Sequence, residues 1–426
     1  MKTTYLLLCL LGIGSVSGAG QTKQPQKIGD FIESTSYNEH RRNATRSLQY
    51  TPDGDDFVCI NGKNRFTRAL YGSHTAFRLE TSDRPVFAAY TKKNPKHICF
   101  KLQTSGGTVA LDSTEHCESR YTAGRRSYNL FHPSFEGGNL SIATLALPDK
   151  EGAIWQFNAR NFKGSNPILL TSISEIRNSK LNRNGDMGAD PADSFEAPLQ
   201  PQQLQSCPAQ IDGTLYILLE NQELRTLTTA EGETLFKKAE AARSETASRI
   251  RIETPDPYFN TLGGTLAMAA DGIWDGEVWL HGAIGWRMPL SGWRAAYTGD
   301  VLGWHDRART HFNAYAASQV TEVPNTLPHP AQDSALHLAR SVKKWGTPQY
   351  SNGYICRNPH RNNQMHHYDM NLCYIDELLW HFKWTGDLDY VRQMWPVITR
   401  HLAWEKLNYD PDNDLSLIHI SEPTRP

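Results

Sequence analysis

Beyond Ile13 the chain contains no apolar run approaching the roughly 20 residues that span a bilayer, so no internal membrane helix is expected. It also lacks charge of one dominant sign. The 44 Lys and Arg are offset by 45 Asp and Glu, for a formal net charge of -1, and without a basic stripe there is no field to steer nucleic acid. No HExxH pair, phosphate loop or dinucleotide fingerprint is present, so neither metal nor cofactor is expected. The seven cysteines are too widely spaced for a zinc knuckle. Adjacent His366 and His367 would point apart in regular structure. Asp410-Pro411-Asp412-Asn413-Asp414 lacks the Gly and distal Glu of a helix-loop-helix calcium site and reads as a solvated turn.

Met1-Lys2, the apolar run Tyr5 to Ile13 and the small residues Ser17-Gly18-Ala19 form a signal-peptide pattern over residues 1–19. The mature product is therefore expected to be soluble, either secreted or periplasmic. Six cysteines remain after cleavage: Cys59, Cys99, Cys117, Cys207, Cys356 and Cys373. Export permits one or two bridges among those in the first half, with ordinary buried thiols the preferred reading. Residues 20–48 are polar and read as a linker.

Between residues 49 and 220, short β-prone segments follow one another, separated by Asp53-Gly54, Asn61-Gly62, Gly106-Gly107 and Gly137-Gly138. They are Asp56–Ile60, Arg65–Leu70, Phe77–Leu79, Val86–Tyr90, His97–Leu102, Thr108–Leu111, Ser119–Tyr121, Ser127–Leu130, Asn139–Leu147, Ala153–Arg160 and Thr214–Leu219. This spacing predicts an antiparallel β-sandwich, interrupted by a long polar loop over Asn182–Gln205. The period then lengthens. Leu224–Ala242 and Glu245–Ile252 predict a helical linker over 221–252. Thr254-Pro255-Asp256-Pro257 opens a second, helical domain over 253–414. Its further helices are expected at Asp300–Gln319, Ser334–Lys344, Asp369–Trp384 and Leu388–Leu407. In the last two, Leu372, Ile375, Leu379 and Phe382, then Leu388, Val391, Trp395, Ile398 and Leu402, recur at helical spacing and predict apolar faces. Trp380, Trp395 and Trp404 accordingly read as core.

Ten of the eleven tryptophans lie beyond residue 273, five of them between Trp274 and Trp304. They are interleaved with Asp275, Glu277, His281, Arg287, Arg294, Asp300 and His305. Indole faces beside acids and hydrogen-bonding groups suit a site that stacks on sugars and does acid/base chemistry on them. Four stretches carry a resemblance: Asp271-Gly-Ile-Trp-Asp275-Gly-Glu277-Val-Trp279-Leu-His281-Gly, Trp286-Arg287-Met-Pro-Leu-Ser-Gly-Trp293-Arg294, Gly299-Asp300-Val-Leu-Gly-Trp304-His305-Asp306-Arg307, and Tyr374-Ile-Asp376-Glu377-Leu-Leu-Trp380 with Thr385-Gly386-Asp387-Leu-Asp389-Tyr390-Val-Arg392. The second half thereby resembles the start of the (α/α)6 toroid of the six-hairpin glycosidase superfamily, especially secreted, Bacteroides-like proteins with an uncharacterised N-terminal sandwich. The implied fold is multidomain, an antiparallel β-sandwich followed by an incomplete (α/α)6 toroid. The implied activity is hydrolysis of an oligo- or polysaccharide in a cleft at one end of the ring.

Glycoside hydrolysis needs one carboxylic acid to protonate the departing oxygen and one carboxylate to attack or to activate water. The two lie about 5–5.5 Å apart for retention and about 6.5–9.5 Å apart for inversion. Glu277 is the expected general acid, with Asp275 binding sugar hydroxyls and a second carboxylate coming from later in the chain. Trp274, Trp279, Trp286 and Trp293 are the candidate stacking platforms, His281 and His305 the candidate hydroxyl partners, and Arg287 and Arg294 candidate clamps for hydroxyls or a uronate carboxylate. Each also has a structural reading: Asp275 as a cap, Glu277 paired with Arg287 or Arg294, and Asp300 as a helix N-cap. Asp376 and Glu377 are expected within a helix, one of them facing solvent. Two other classes remain open. A polysaccharide lyase would recruit Tyr297, His281 and Arg294 against a uronate, and a non-catalytic carbohydrate-binding protein would keep the aromatics without needing the acids.

Leu415-Ser-Leu-Ile-His-Ile-Ser-Glu-Pro-Thr-Arg-Pro426 resembles translated sequencing-adapter read-through, so native sequence is expected to end near Asp414. Residues 253–414 hold roughly five or six helices of about 11–12 residues plus loops, where a closed toroid has twelve. Open hairpins would expose apolar faces, and the chain by itself is expected to be poorly soluble or inactive.

Overall fold

The computed structural model describes residues 50–63, 68–72, 76–91, 95–164, 166–175, 205–282, 288–292, 296–321, 332–333, 338–339, 352–360 and 369–409. The expected signal peptide, the linker 20–48, nearly all of the polar loop 182–205 and the tail from 410 on lie outside these residues. An antiparallel β region is followed by several helices. Eight strands form one sheet in the order β1 (Thr51–Asp53), β2 (Asp56–Ile60), β8 (His116–Thr122), β9 (Arg125–Phe131), β10 (Asn139–Ala146), β11 (Gly152–Arg160), β14 (Thr214–Glu220) and β15 (Glu223–Leu227). The other sheet runs β13 (Gln205–Gln210), β12 (Ile168–Glu175), β6 (Lys96–Thr104), β5 (Val86–Tyr90), β4 (Arg78–Thr81), β3 (Arg68–Tyr71), with β7 (Gly107–Ala110) on the second half of β6. One apolar core, fed by both sheets, lies between them.

Alternation decides which side chains enter that core. In β11 Ala153, Trp155 and Phe157 point inward; in β9 Tyr128 and Leu130 do. Trp155 sits at the centre, edge-on to Phe87 at 5.4 Å and to Phe100 at 5.7 Å, within the range favoured by aromatic quadrupoles. β12 escapes the alternation rule. Thr171, Ser172 and Ser174 are buried within it, which hides its apolar pattern in the sequence. Cys59, Cys99, Cys117, Cys356 and Cys373 are free thiols. Burial raises the pKa of Cys59 and Cys99 and pushes that of Cys117 up to about 12, which makes these thiols inert.

Leu224–Leu227, expected as helix, belongs to β15, because Leu224 and Leu227 pair with Leu219 and Tyr216. The helix α1 (Thr229–Ala247) starts after Thr228, whose hydroxyl accepts the Glu231 N–H, and it ends before the expected 252. Leu235, Phe236 and Ala239 of α1 cover Leu145, Ile154, Tyr216 and Leu218 on the outer face of the eight-stranded sheet. Gly232 makes that seat possible, since a Cβ there would lie 2.2 Å from the Tyr216 ring. Gly232→Ala is therefore expected to cost about 1–3 kcal/mol through overpacking, read as a lowered urea midpoint. Were it merely a gain in helix propensity, the midpoint would rise.

The helical region continues with α2 (Pro257–Asn260), α3 (Leu262–Gly272), α4 (Tyr297–Val301), α5 (His305–Ala316), α6 (Asp369–Thr385) and α7 (Leu388–Tyr409). Glycines bring α3 against the end of α1 and the chain that follows it: a Cβ on Gly264 would lie 3.2 Å from the Ala247 carbonyl, and one on Gly263 2.7 Å from the Ile250 carbonyl. The single helix expected over Asp300–Gln319 is broken at Gly303, where φ is +73°. Of the helix expected over Ser334–Lys344 only Leu338–Ala339 fall within the described residues, and they pair with Gln332–Asp333 in a two-residue ladder, β16 with β17. Gly386, at φ +63°, turns α6 into α7.

The apolar faces expected on α6 and α7 are rotated. Among the described side chains of α7, Tyr390, Met394, Ile398, His401, Trp404 and Glu405 are buried, while Trp395 is 54% exposed and Leu388 and Leu402 are also exposed. On α6 Tyr374, Ile375, Glu377, Leu378 and His381 are buried, and Leu379, Trp380 and Trp384 face outward. Polar groups with fixed partners face inward: Asn371 accepts the Ile355 N–H at 2.7 Å and donates to its carbonyl at 3.1 Å. A hydrophobicity count assigns such residues to the wrong side. No helix among the described residues is long and apolar enough to cross a membrane, which leaves strand-crossing proteins unaddressed.

Candidate active site

Asp275 and Glu277 lie on a tight reversal directly after α3. The backbone turns back on itself with Leu280 N–H donating to Ile273 O at 2.9 Å and Asp275 N–H to Val278 O at 3.2 Å. Gly276 occupies the left-handed region at φ +102°. Asp275 Oδ1 accepts the Glu277 and Val278 N–H groups at 3.0 and 2.8 Å, an Asx-type lock. Its role as a cap of the local backbone is therefore realised on a turn, with no helix following.

Trp274 and Trp279 flank that turn, 4.6 Å apart and 3% and 0% exposed. Neither offers a face to a sugar, which corrects the expectation of stacking platforms. Trp279 is packed against Gly299, where a Cβ would lie 2.4 Å from the indole, and the backbone N–H of Trp279 donates to His311 Nδ1 at 3.1 Å. Arg307 reinforces the base of the turn, bonding Asp271 at 2.7 Å and lying 4.2 Å over the Trp304 ring.

An Nδ1 that accepts a hydrogen bond keeps the buried His311 ring neutral, and burial lowers its pKa to about 3. Unfolded, the same ring titrates near 6.5. Its neutral form thus contributes nothing pH-dependent above about 6.5, and stability is lost as pH falls from there toward 3, at about 1.4 kcal/mol per unit. Between pH 6 and 4 the denaturation midpoint of the wild-type chain is expected to fall more steeply than that of His311→Gln by the equivalent of one proton. Parallel slopes would remove His311 from the acid response.

The Glu277 carboxylate projects from the locked turn into solvent-accessible space and meets His360 Nε2 at 2.5 Å. Its partner among the described residues is thus an imidazole; the expected pairing with Arg287 or Arg294 falls outside them. His281 lies two residues beyond Trp279, its backbone N–H donating to Met288 O at 3.0 Å. Its pKa is lowered by burial and then by the nearby Arg357 charge. Arg357 itself donates to Met288 Sδ at 3.2 Å. Behind them the buried Tyr315 hydroxyl is held well above its usual pKa by desolvation, then by the charges of Asp275 and Glu377. Tyr297 donates to Asp376, and its pKa is raised by burial and by that carboxylate. Asp376 is exposed and Glu377 buried, one outside and one inside as helical spacing requires.

His305 is not part of this cluster. Its Nδ1 bonds the buried carboxylate of Asp300 at 2.7 Å, and His381 Nδ1 bonds the same carboxylate at 2.9 Å. Asp300 lies inside α4 and makes no cap, contrary to expectation; it joins α4, α5 and α6. Ten residues of α5 separate His305 from Tyr315, about 15 Å of helix. Trp286, Arg287, Trp293 and Arg294 lie outside the described residues. Arg357 and His360 had no sequence signal, since they follow no periodic segment and no motif.

Among the described residues no group of three or more His, Cys, Asp or Glu side chains could hold a metal ion. A cavity of about 490 Å³ opens elsewhere, at one end of the sandwich between Lys96, Ile173, Glu175 and the turn Asn221-Gln222. A family model described as a domain of unknown function (DUF4450) matches residues 95–249, from the start of β6 to the end of α1. That span stops before Asp275. No curated protein matches the chain.

Proposed function

We propose that this chain comes from an exported glycoside hydrolase that acts on an oligo- or polysaccharide, its helices forming part of an (α/α)6 toroid. Glu277 is the general acid in this reading. What supports it is the Glu277 carboxylate itself, half exposed, carried on a turn fixed by Asp275 and within 2.5 Å of His360. The imidazole can exchange a proton with the acid between turnovers, and a rigid support limits the reorientation needed at the transition state. Asp275 acts as a positioning residue, its Oδ1 already engaged by the backbone. His281 and Arg357, which lie close to one another at Met288, supply hydrogen bonds to hydroxyls in this reading. A second carboxylate must complete the pair.

The lyase alternative loses support at Tyr297, whose pKa is raised by burial and Asp376, the opposite of what a proton-abstracting phenolate requires. The test is Glu277→Gln in the full-length parent, assayed for reducing-end release and for unsaturated uronate absorbance. Loss of reducing ends with glycan binding retained supports hydrolysis. Unsaturated products, or undiminished turnover, overturn it.

A further inference from the structure

The outer face of the eight-stranded sheet changes character from one row of residues to the next. Cross-strand pairing places Arg125, Leu145, Ile154 and Leu218 in one row, and α1 covers its apolar members. The next row is Arg120, Ser127, Ala143, Gln156, Tyr216, and beyond it come Glu118, Asn129, Ser141, Asn158, Thr214. Apart from Tyr216, which packs under Phe236 of α1, these two rows lie outside the apolar patch that α1 covers, and a cleft of about 250 Å³ lies on them, lined by Glu118, Arg120, Ser127, Asn129, Ser141 and Asn158 among others. Its floor, on β9 and β10, is made of small side chains. Its walls, on β8 and β11, stand three strand spacings or about 14 Å apart.

The walls are held in place. Arg120 bonds Asp53 at 2.7 Å and Asp56 at 3.1 Å, Thr214 donates to Asn158 at 2.8 Å, and Gln156 donates to the Tyr216 hydroxyl at 2.7 Å. The floor is not engaged: among the described residues the side chains of Ser127, Asn129 and Ser141 make no hydrogen bond. Beside Asn129, at the end of β9, Phe131 is 46% exposed, with the His116 ring 5.6 Å away. A solvated sheet face ordinarily carries long charged side chains. Here the centre carries amides and hydroxyls, the Arg120 charge is already neutralised, and an apolar ring borders it.

We propose that this face is a saccharide-binding groove that takes an uncharged oligosaccharide along β9 and β10. Amide and hydroxyl groups pair with sugar hydroxyls as donor and acceptor alike, and the Phe131 ring offers its face to the apolar side of a sugar ring. The pinned walls reduce the ordering cost of binding. The groove does not depend on catalysis at Glu277.

Titration calorimetry of the full-length parent with xylo-, manno-, cello- and arabino-oligosaccharides tests it. At least one of these neutral ligands is expected to bind. Asn129→Ala should weaken that binding roughly tenfold, the loss of one or two ligand hydrogen bonds, and Ser141→Tyr, which fills the floor, should abolish it. Both positions are solvent-facing, so thermal midpoints should hold; should Ser141→Tyr fail to fold, Asn129→Ala decides alone. Glu277→Gln should leave the affinity unchanged, so that loss of turnover and loss of groove binding are separate results. Absence of binding across the panel, binding confined to a uronate oligosaccharide, or affinity indifferent to both groove variants would each overturn the proposal.

Discussion

Glu277→Gln in the full-length parent is expected to lower turnover by about 10²–10⁴-fold, the usual contribution of a positioned general acid, with little change in stability. Gln keeps the shape and can still accept from His360, so the turn built on Asp275 stays in place. What disappears is the transferable proton. A KM close to that of the parent with a collapsed kcat is the pattern of an interaction made only in the transition state. His360→Ala should do less, because it removes the partner and leaves the acid. Should the two variants lose equal activity while Asp275→Ala loses none, Glu277 would be a structural partner of His360 and the acid would lie elsewhere.

Trp279→Ala should cost about 3–5 kcal/mol of stability, the range for deleting a buried aromatic. The indole is 0% exposed, packed on Trp274 at 4.6 Å and on the Gly299 backbone, so its removal leaves a cavity beneath the turn that carries Glu277. Urea denaturation reads the loss directly as a fallen midpoint with an unchanged slope. A residue that stacked on sugar would behave in the opposite way: its alanine variant would stay stable and bind glycan less well. Trp274→Ala should follow Trp279→Ala in direction.

Alternation exposed most of the sandwich in the sequence because one face of each strand is buried and the other wet; Val86–Tyr90 matches its expected bounds. β12 was hidden by buried Ser and Thr, and β15 by helix-favouring Glu223, Leu224 and Arg225, whose pairing with β14 overrides local propensity. In the helices the elements were legible and their orientation was not. Burial of His381, Glu377 and Glu405 beside outward Trp380, Trp384 and Trp395 inverts the usual reading of an amphipathic helix. At the candidate site, the Asp275–Glu277 turn could be found from its motif. Arg357 and His360 could not, because contacts across some eighty residues are written in tertiary packing rather than in spacing: Glu277 meets His360, 83 positions away.

The seating of α1 has a consequence for how the protein can be divided. One side of this helix roofs the apolar rows of the sheet, and its C-terminal end, with Ile250 beyond it, receives the glycine surface of α3. Arg243 adds a bond to the Ala123 carbonyl at 2.8 Å. A gene cut made at the change from strands to helices would strip one half of its roof or the other of its seat. The two halves are therefore joined through a common beam.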